Sequence, residues 1–338
     1  MDHRSRSLVG MLVLLVLAGT FAVADPIDGS GATRPSANCA GRGCTVGEVE
    51  SVLAVQDPNF STLFFEGVAV GRNGVVYTSE QCTGKVYRTR PDGRRTVIAT
   101  IPYGVENDPG CNMAGILGLA VSDDGDLWAV VLSWLPESHG VWRIRRNGSA
   151  ELAIPLSPTD VVIPNAIVFD PAGNLYVTDS AAGAIWKAGS DGVAALWFQC
   201  DELAPATWIG ANGVAYGHGA LYVANTDKGT VVKVPLHRDG SPGEPEVIAT
   251  GLNGPDGMAF DAFGDLYLVT AYGAQLVRIR PHRSPEVVVD LGAAGVAYPT
   301  SVDLGKTARE MTTAYVANMI PLPGQPNLVK VNLCERRR

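Results

Sequence analysis

One pattern recurs six times along this chain of 338 residues: a lead residue, a few small and apolar residues, a glycine-containing turn, and an apolar-aromatic run. The copies read EGVAVGRNGVVY, LGLAVSDDGDLW, NAIVFDPAGNLY, NGVAYGHGALY, DGMAFDAFGDLY and, less regularly, TSVDLGKTAREMTTAY. Their lead residues are Glu66, Leu117, Asn165, Asn212, Asp256 and Thr300, spaced by 51, 48, 47, 44 and 44 positions. A unit of that length cannot bury its own apolar face, whereas stacked copies can, so such a period predicts propeller blades. Each copy runs on into further strand-like stretches, such as 85–88 and 96–101 in the first. Turn signals recur along the copies at Asn73-Gly74, Asp92-Gly93, Asn147-Gly148, Asp191-Gly192 and Asp239-Gly240. The expectation is an all-β, six-bladed β-propeller with four antiparallel strands per blade, A to D counted outward from the axis.

The last copy runs out of chain after a third strand at 327–333, which would leave an open edge in the final blade. The segment 48–55, EVESVLAV, resembles the outer-strand runs PEVIAT and PEVVVD. The ring is therefore expected to be closed by an N-terminal strand, giving a propeller over 48–334.

The two ends read differently. His3, Arg4 and Arg6 precede an apolar run that ends in Ala22-Val23-Ala24, the pattern of a cleaved signal peptide over 1–24, and that run is short for a bilayer span. Residues 25–47, rich in Gly, Ser, Ala and Pro, read as a flexible leader, and 335–338 as a solvated basic tail. Cleavage removes Asp2, Arg4 and Arg6 and takes the formal charge from −8 to −9. That balance argues against a nucleic-acid partner. The expected product is a secreted monomer, periplasmic in a bacterial host, with no membrane association after cleavage and a small molecule as its substrate.

Because strand A is innermost, the six lead residues fall at one height around the axis. Glu66, Asn165, Asn212 and Asp256 then bring two carboxylates and two amides together. Carboxylates buried side by side repel each other, and a dication between them cancels both charges while the amides add neutral ligands. Hard oxygens without His or Cys favour calcium, with magnesium, manganese and zinc as alternatives. A water-filled channel lined by hydrogen-bonding groups is the plainer reading.

With these residues on the page, the chain resembles the senescence-marker-protein/gluconolactonase family and the related calcium-dependent phosphotriesterases, such as diisopropyl fluorophosphatase. The likeness spans 48–333 and rests on Glu opening the first copy, Asn the third and fourth, and PDGMAFD the fifth. It implies a divalent-metal-dependent hydrolase of a lactone, ester or phosphotriester, with metal ligands at Glu66, Asn165, Asn212 and Asp256. It also implies that Asp256 acts as general base or nucleophile and that Thr300 is a hydroxyl near the metal. Members acting on sugar lactones read Arg-x-Asn-Asp-Gly at the third copy, where this chain has Ile163-Pro164-Asn165-Ala166-Ile167. With Leu117 at the second position, the implied substrate is less polar than gluconolactone. The alternatives are a non-catalytic secreted propeller with a structural metal that binds a ligand or protein partner, and a metal-free strictosidine-synthase-like propeller. The latter group lacks the acidic and amide ring.

Lead residues open strand A, so only the D-to-A and B-to-C loops share their face. Among the histidines this selects His139, a second acid or base or, more simply, a solvated loop residue; His218, His237 and His282 fall on the opposite turns. Met113, Trp134, Phe198, Trp208 and Tyr298 lie near the same rim. Six cysteines in an exported chain suggest disulfides. Topology allows Cys334 with Cys39 or Cys44, fastening the closure, and Cys82 with Cys111 on the rim, while free thiols remain an alternative. No nucleophile elbow, zinc-type His-Glu-x-x-His, Cys-x-x-Cys or phosphate-binding glycine loop occurs.

Overall fold

The computed structural model describes residues 47–53, 64–104, 114–319 and 327–333. It contains six sheets of four antiparallel strands. In each sheet the strands follow chain order from A to D, except in the sixth, where strand D is supplied by Val49–Leu53 from the other end of the chain. Strand A runs over Phe65–Val70, Gly115–Val121, Pro164–Phe169, Ala211–Gly217, Pro255–Phe260 and Pro299–Leu304. Each strand A packs against the strands A of its neighbours, which makes it the inner wall of a six-bladed β-propeller.

The closing strand fits its blade in detail. In five blades the C-to-D pairing shifts by one residue, as where Val86 faces Ala99 but Tyr87 faces Val97. The N-terminal strand reproduces that bulge, with Leu328 facing Leu53 and Val329 facing Ser51. A segment from the far end of the chain thus repeats the geometry of a native strand D and leaves strand C with no bare edge.

The apolar side chains form six clusters, one for each junction between adjacent blades. The junction between the last blade and the first buries Phe65, Val68 and Val70 against Tyr315, Ala317 and Leu328. At about 1.5–3 kcal/mol for each large apolar side chain buried, every junction contributes to holding the ring shut. The hairpin glycines at 74, 93, 148, 192 and 240 all adopt positive φ and donate their N–H to the carbonyl three residues earlier, as the turn signals predict.

Around the channel the strands A approach so closely that the residue after each lead residue must be small: Gly67, Gly118, Ala166, Gly213, Gly257 and Ser301. A β-carbon on Gly67 would stand 2.6 Å from the Leu117 carbonyl oxygen, and one on Gly118 would stand 2.6 Å from that of Asn165. The Glu-Gly, Asn-Gly and Asp-Gly pairs of the repeat are therefore a channel-facing side chain followed by an inter-blade contact.

The expected signal peptide, most of the leader, the basic tail, and Cys39, Cys44 and Cys334 lie outside the described residues, as do Cys111 and Met113. No helix among the described residues is long and apolar enough to cross a membrane.

Candidate functional site

The lead residues share a backbone device. In the first five blades the A-to-B register jumps across the lead residue and its successor: Phe65 pairs with Glu80 and Val68 with Thr78, leaving Glu66 and Gly67 opposite Ser79. The same two-against-one bulge holds Leu117, Asn165, Asn212 and Asp256, and a one-residue variant holds Thr300. A bulge bends its strand and re-aims the side chain it carries. All six side chains are buried, between 2 % and 9 % exposed, although four are strongly polar.

Hydrogen bonds fix the amides. Asn165 donates its Nδ2 to Ser180 Oγ at 3.1 Å, and Ser180 passes its own proton to the Ala211 carbonyl at 2.8 Å. One blade further on, Asn212 Nδ2 donates to Thr226 Oγ1 at 2.9 Å, and Thr226 donates to the Pro255 carbonyl at 2.8 Å. Each hydroxyl proton is committed to the next blade, so the hydroxyl can only accept from the amide. One hydrogen of each amide is thereby held by that hydroxyl, and the Asn212 side chain also hydrogen-bonds the Asp256 carboxyl. Asn212 Oδ1 and Glu66 Oε2 are buried without a hydrogen-bond partner.

Buried acceptors without donors are costly, more so when charged. Burial pushes the Glu66 carboxyl up to about 8. Burial also raises Asp256 well above the usual carboxylate range, and the charge of Glu66 beside it adds to the rise. Two acids that resist ionisation, facing orphaned oxygens, lack a positive charge. The set fits a hard divalent cation, with Glu66, Asn165, Asn212 and Asp256 as its donors. Among the described residues no group of three or more His, Cys, Asp or Glu side chains is placed to hold a metal ion; the four polar ring residues are half carboxylate and half amide.

The other sequence-predicted residues take distinct places. Thr300 sends its hydroxyl proton to the Glu66 carbonyl at 3.0 Å and the Phe65 carbonyl at 3.2 Å, bridging the sixth blade to the first. Leu117 and Ile163 are buried apolar side chains, and the Ile163 N–H is held by Asp179 Oδ1 at 3.0 Å. Beyond the small residues Gly118, Ala166, Gly213, Gly257 and Ser301, a cavity of about 890 Å³ walled by the strands A opens toward the A-to-B turns.

His139 is not a solvated loop residue. It is fully buried; its Nδ1 accepts from the Ser133 N–H at 3.2 Å and its Nε2 donates to the Val161 carbonyl at 2.8 Å. Burial holds its pKa below the ordinary histidine value, and with both nitrogens engaged it positions a loop and has no free site for proton transfer. In the third blade Asp179 does the corresponding work, binding the N–H groups of Val162, Ile163 and Ala181. The second blade ends strand B in Leu132, and the histidine supplies what that residue lacks.

Cys82 is buried and disulfide-bonded, and Cys200 is a free thiol that burial pushes up to about 11. Sequence reasoning missed Ser180 and Thr226, although each directly follows the polar residue that ends strand B, in Asp179-Ser180 and Asn225-Thr226. It also left Tyr272 unremarked. The ring of Tyr272 lies 5.9 Å from that of Tyr298 at 58°.

Solved structures with this architecture include a gluconolactonase of Xanthomonas campestris, 16 % identical, covering 85 % of this chain and 90 % of its own at a TM-score of 0.61. Regucalcin of Agrobacterium tumefaciens, a calcium-binding protein, is likewise 16 % identical, with 86 % and 94 % covered and a TM-score of 0.61. Virginiamycin B lyase of Staphylococcus aureus is 15 % identical, with 86 % and 89 % covered and a TM-score of 0.54. No family model and no curated protein matches the chain. The chain thus shares a propeller fold with proteins of differing roles: a gluconolactonase, a calcium-binding protein and a lyase. At this identity the likeness speaks for the fold, and function has to be argued from the ring.

Proposed function

We propose that this protein binds one divalent cation, calcium, on Glu66, Asn165, Asn212 and Asp256 and hydrolyses a lactone, ester or phosphotriester at that ring. The observation that carries the reading is the pair of buried, mutually repelling carboxyls, with Glu66 Oε2 and Asn212 Oδ1 buried and without donors. A bound dication would supply Lewis-acid polarisation of the scissile carbonyl or phosphoryl oxygen. The protein's own residues do the rest. Ser180 and Thr226 orient the amide donors, Thr300 ties the carbonyl side of Glu66 to the neighbouring blade, and the flanking glycines let the six strands converge. Asp256, ionised when its charge is compensated, is the group placed to take a proton from water or to attack the acyl or phosphoryl centre.

Leu117 and Ile163 favour a substrate with few hydroxyls. A sugar lactone needs polar partners for each hydroxyl, and a site that leaves them unpaired rejects it. The signal-peptide pattern over 1–24 supports export, and Cys111 is the partner we assign to Cys82. Turnover of a panel of aliphatic, aryl and sugar lactones and phosphotriesters, run with and without chelator, tests the activity. The reading expects hydrolysis that chelation abolishes; turnover that survives chelation would contradict it, and none on any substrate would leave a non-catalytic cation-binding propeller.

A further inference from the structure

Two tyrosines meet at the mouth of the ring from different blades. Tyr272 sits in the B-to-C corner of the fifth blade, after the strand Leu266–Thr270. That corner is tied to the segment leading into Asp256: the Ala271 N–H donates to the Gly254 carbonyl at 2.7 Å and the Gly273 N–H to that of Asn253 at 3.1 Å. The Tyr272 ring lies so close over Gly254 that a β-carbon there would collide with it, and Gly254 also has φ +68°. Tyr298 stands two residues before Thr300, its N–H donating to Asn318 Oδ1 at 3.1 Å and its carbonyl accepting from the Met319 N–H at 2.9 Å. Both flanking segments are therefore pinned, and the two rings are placed by their backbones.

The pair is graded from solvent to site. Tyr272 is 50 % exposed, whereas Tyr298 is mostly covered and feels the charges of both Asp256 and Glu66. The two rings touch at a tilt, with centroids 5.9 Å apart, so the buried ring backs the exposed one. A half-exposed aromatic face with a phenolic hydroxyl at its edge, close to the ring carboxyls, suits a flat ring bearing a carbonyl. It does not suit a polyol, which would leave its hydroxyls facing carbon.

We infer that Tyr272 and Tyr298 form the specificity wall of this site, and that the ligand it accepts is a lactone or ester carrying an aromatic ring. Tyr272 stacks on that ring and Tyr298 holds Tyr272 in place. The inference rests on the proposed hydrolase reading for its substrate class, but binding tests it separately.

The probe is a benzo-fused lactam, which keeps the ring and carbonyl of an aryl lactone and resists hydrolysis, titrated calorimetrically into calcium-loaded protein. Tyr272→Ala should weaken binding about tenfold, and Tyr272→Phe should stay within a factor of about three, because the stacking face outweighs one hydrogen bond. Calcium affinity should not change in either variant. In turnover, Tyr272→Ala should raise KM for dihydrocoumarin and leave KM for δ-valerolactone unaltered. Absence of lactam binding by the wild-type protein, or equal binding by Tyr272→Ala, would overturn the wall. Lactam binding as expected, with no lactone or ester hydrolysed, would keep the wall and remove the hydrolase reading; aliphatic lactone turnover without lactam binding would do the reverse.

Discussion

Asn212 donates its amide nitrogen to Thr226 Oγ1 at 2.9 Å, and this bond anchors the amide to the corner of its own blade. Thr226 has already spent its proton on the Pro255 carbonyl of the next blade, so it can only accept. The Asn212 Oδ1 stays buried without a donor, and the side chain also hydrogen-bonds the Asp256 carboxyl. A contact between two blades thus helps to anchor a side chain of the ring.

Removing that bond should loosen the amide without emptying the site. Thr226→Val should lower calcium affinity about fivefold, the worth of roughly 1 kcal/mol for one hydrogen bond, and Thr226→Ser should restore it. Calcium titrations of the three proteins check this; equal affinities would show that the hydroxyl does not orient the ligand.

The raised carboxyls give a pH dependence of definite sign. Glu66 moves from its ordinary 4.5 up to about 8 when no cation is bound, so the folded metal-free protein holds a proton that the unfolded chain releases. The stability contributed by that proton is complete below pH 4.5 and is lost as pH rises toward about 8. Calcium must displace the proton, so its affinity should climb over the same interval and level off above it. Melting curves of chelated protein and calcium titrations across this range measure both trends, and a flat profile would mean that the carboxyls are already ionised.

His139 runs the other way. Its folded pKa lies below the ordinary 6.5, so the neutral ring stabilises the fold above that pH, and the contribution is lost as pH falls below it. His139→Gln should destabilise the protein by about 1–3 kcal/mol through the unsatisfied Val161 carbonyl or Ser133 N–H, and should flatten the acid limb of the stability curve. Calcium affinity should change little. A large loss of calcium binding in a protein that melts normally would place His139 in the site after all.

Much of this architecture is legible in the sequence because a repeat exposes equivalent positions. Reading down the first residue of each copy picks out Glu66, Leu117, Asn165, Asn212, Asp256 and Thr300, and the structure puts all six in equivalent bulges. The closing strand was legible too, since EVESVL carries the outer-strand pattern into a blade that lacked one. What stayed hidden depends on burial and on contacts between blades. Sequence placed His139 on a rim loop but could not show that the loop folds over it. Ser180 and Thr226 looked like ordinary corner residues, and their role arises only when a neighbouring strand brings a carbonyl within reach. Tyr272 and Tyr298 are 26 positions apart in the chain and meet only because adjacent blades converge on one mouth.

The small residues behind the ring carry their own test. A β-carbon on Gly213 would run into the Asp256 carbonyl, and one on Gly257 would stand 2.5 Å from Ser301 Cα. Gly213→Ala and Gly257→Ala should each destabilise by about 1–3 kcal/mol, the range typical of overpacking. They should also weaken calcium binding, because the strands bearing the ligands must part. Thermal unfolding with and without calcium reads both effects, and unchanged melting would refute the close approach of neighbouring strands A.

The most direct measurement is calorimetric titration of calcium into the metal-stripped full chain, compared with Glu66→Gln and Asp256→Asn. One binding event per chain in the wild-type protein, lost or weakened at least a hundredfold in each variant, is the predicted result, since each substitution leaves a single carboxylate against a dication. Absence of binding heat in the wild-type protein, or equal binding by Asp256→Asn, would contradict the claim that these bulged side chains converge to hold a cation.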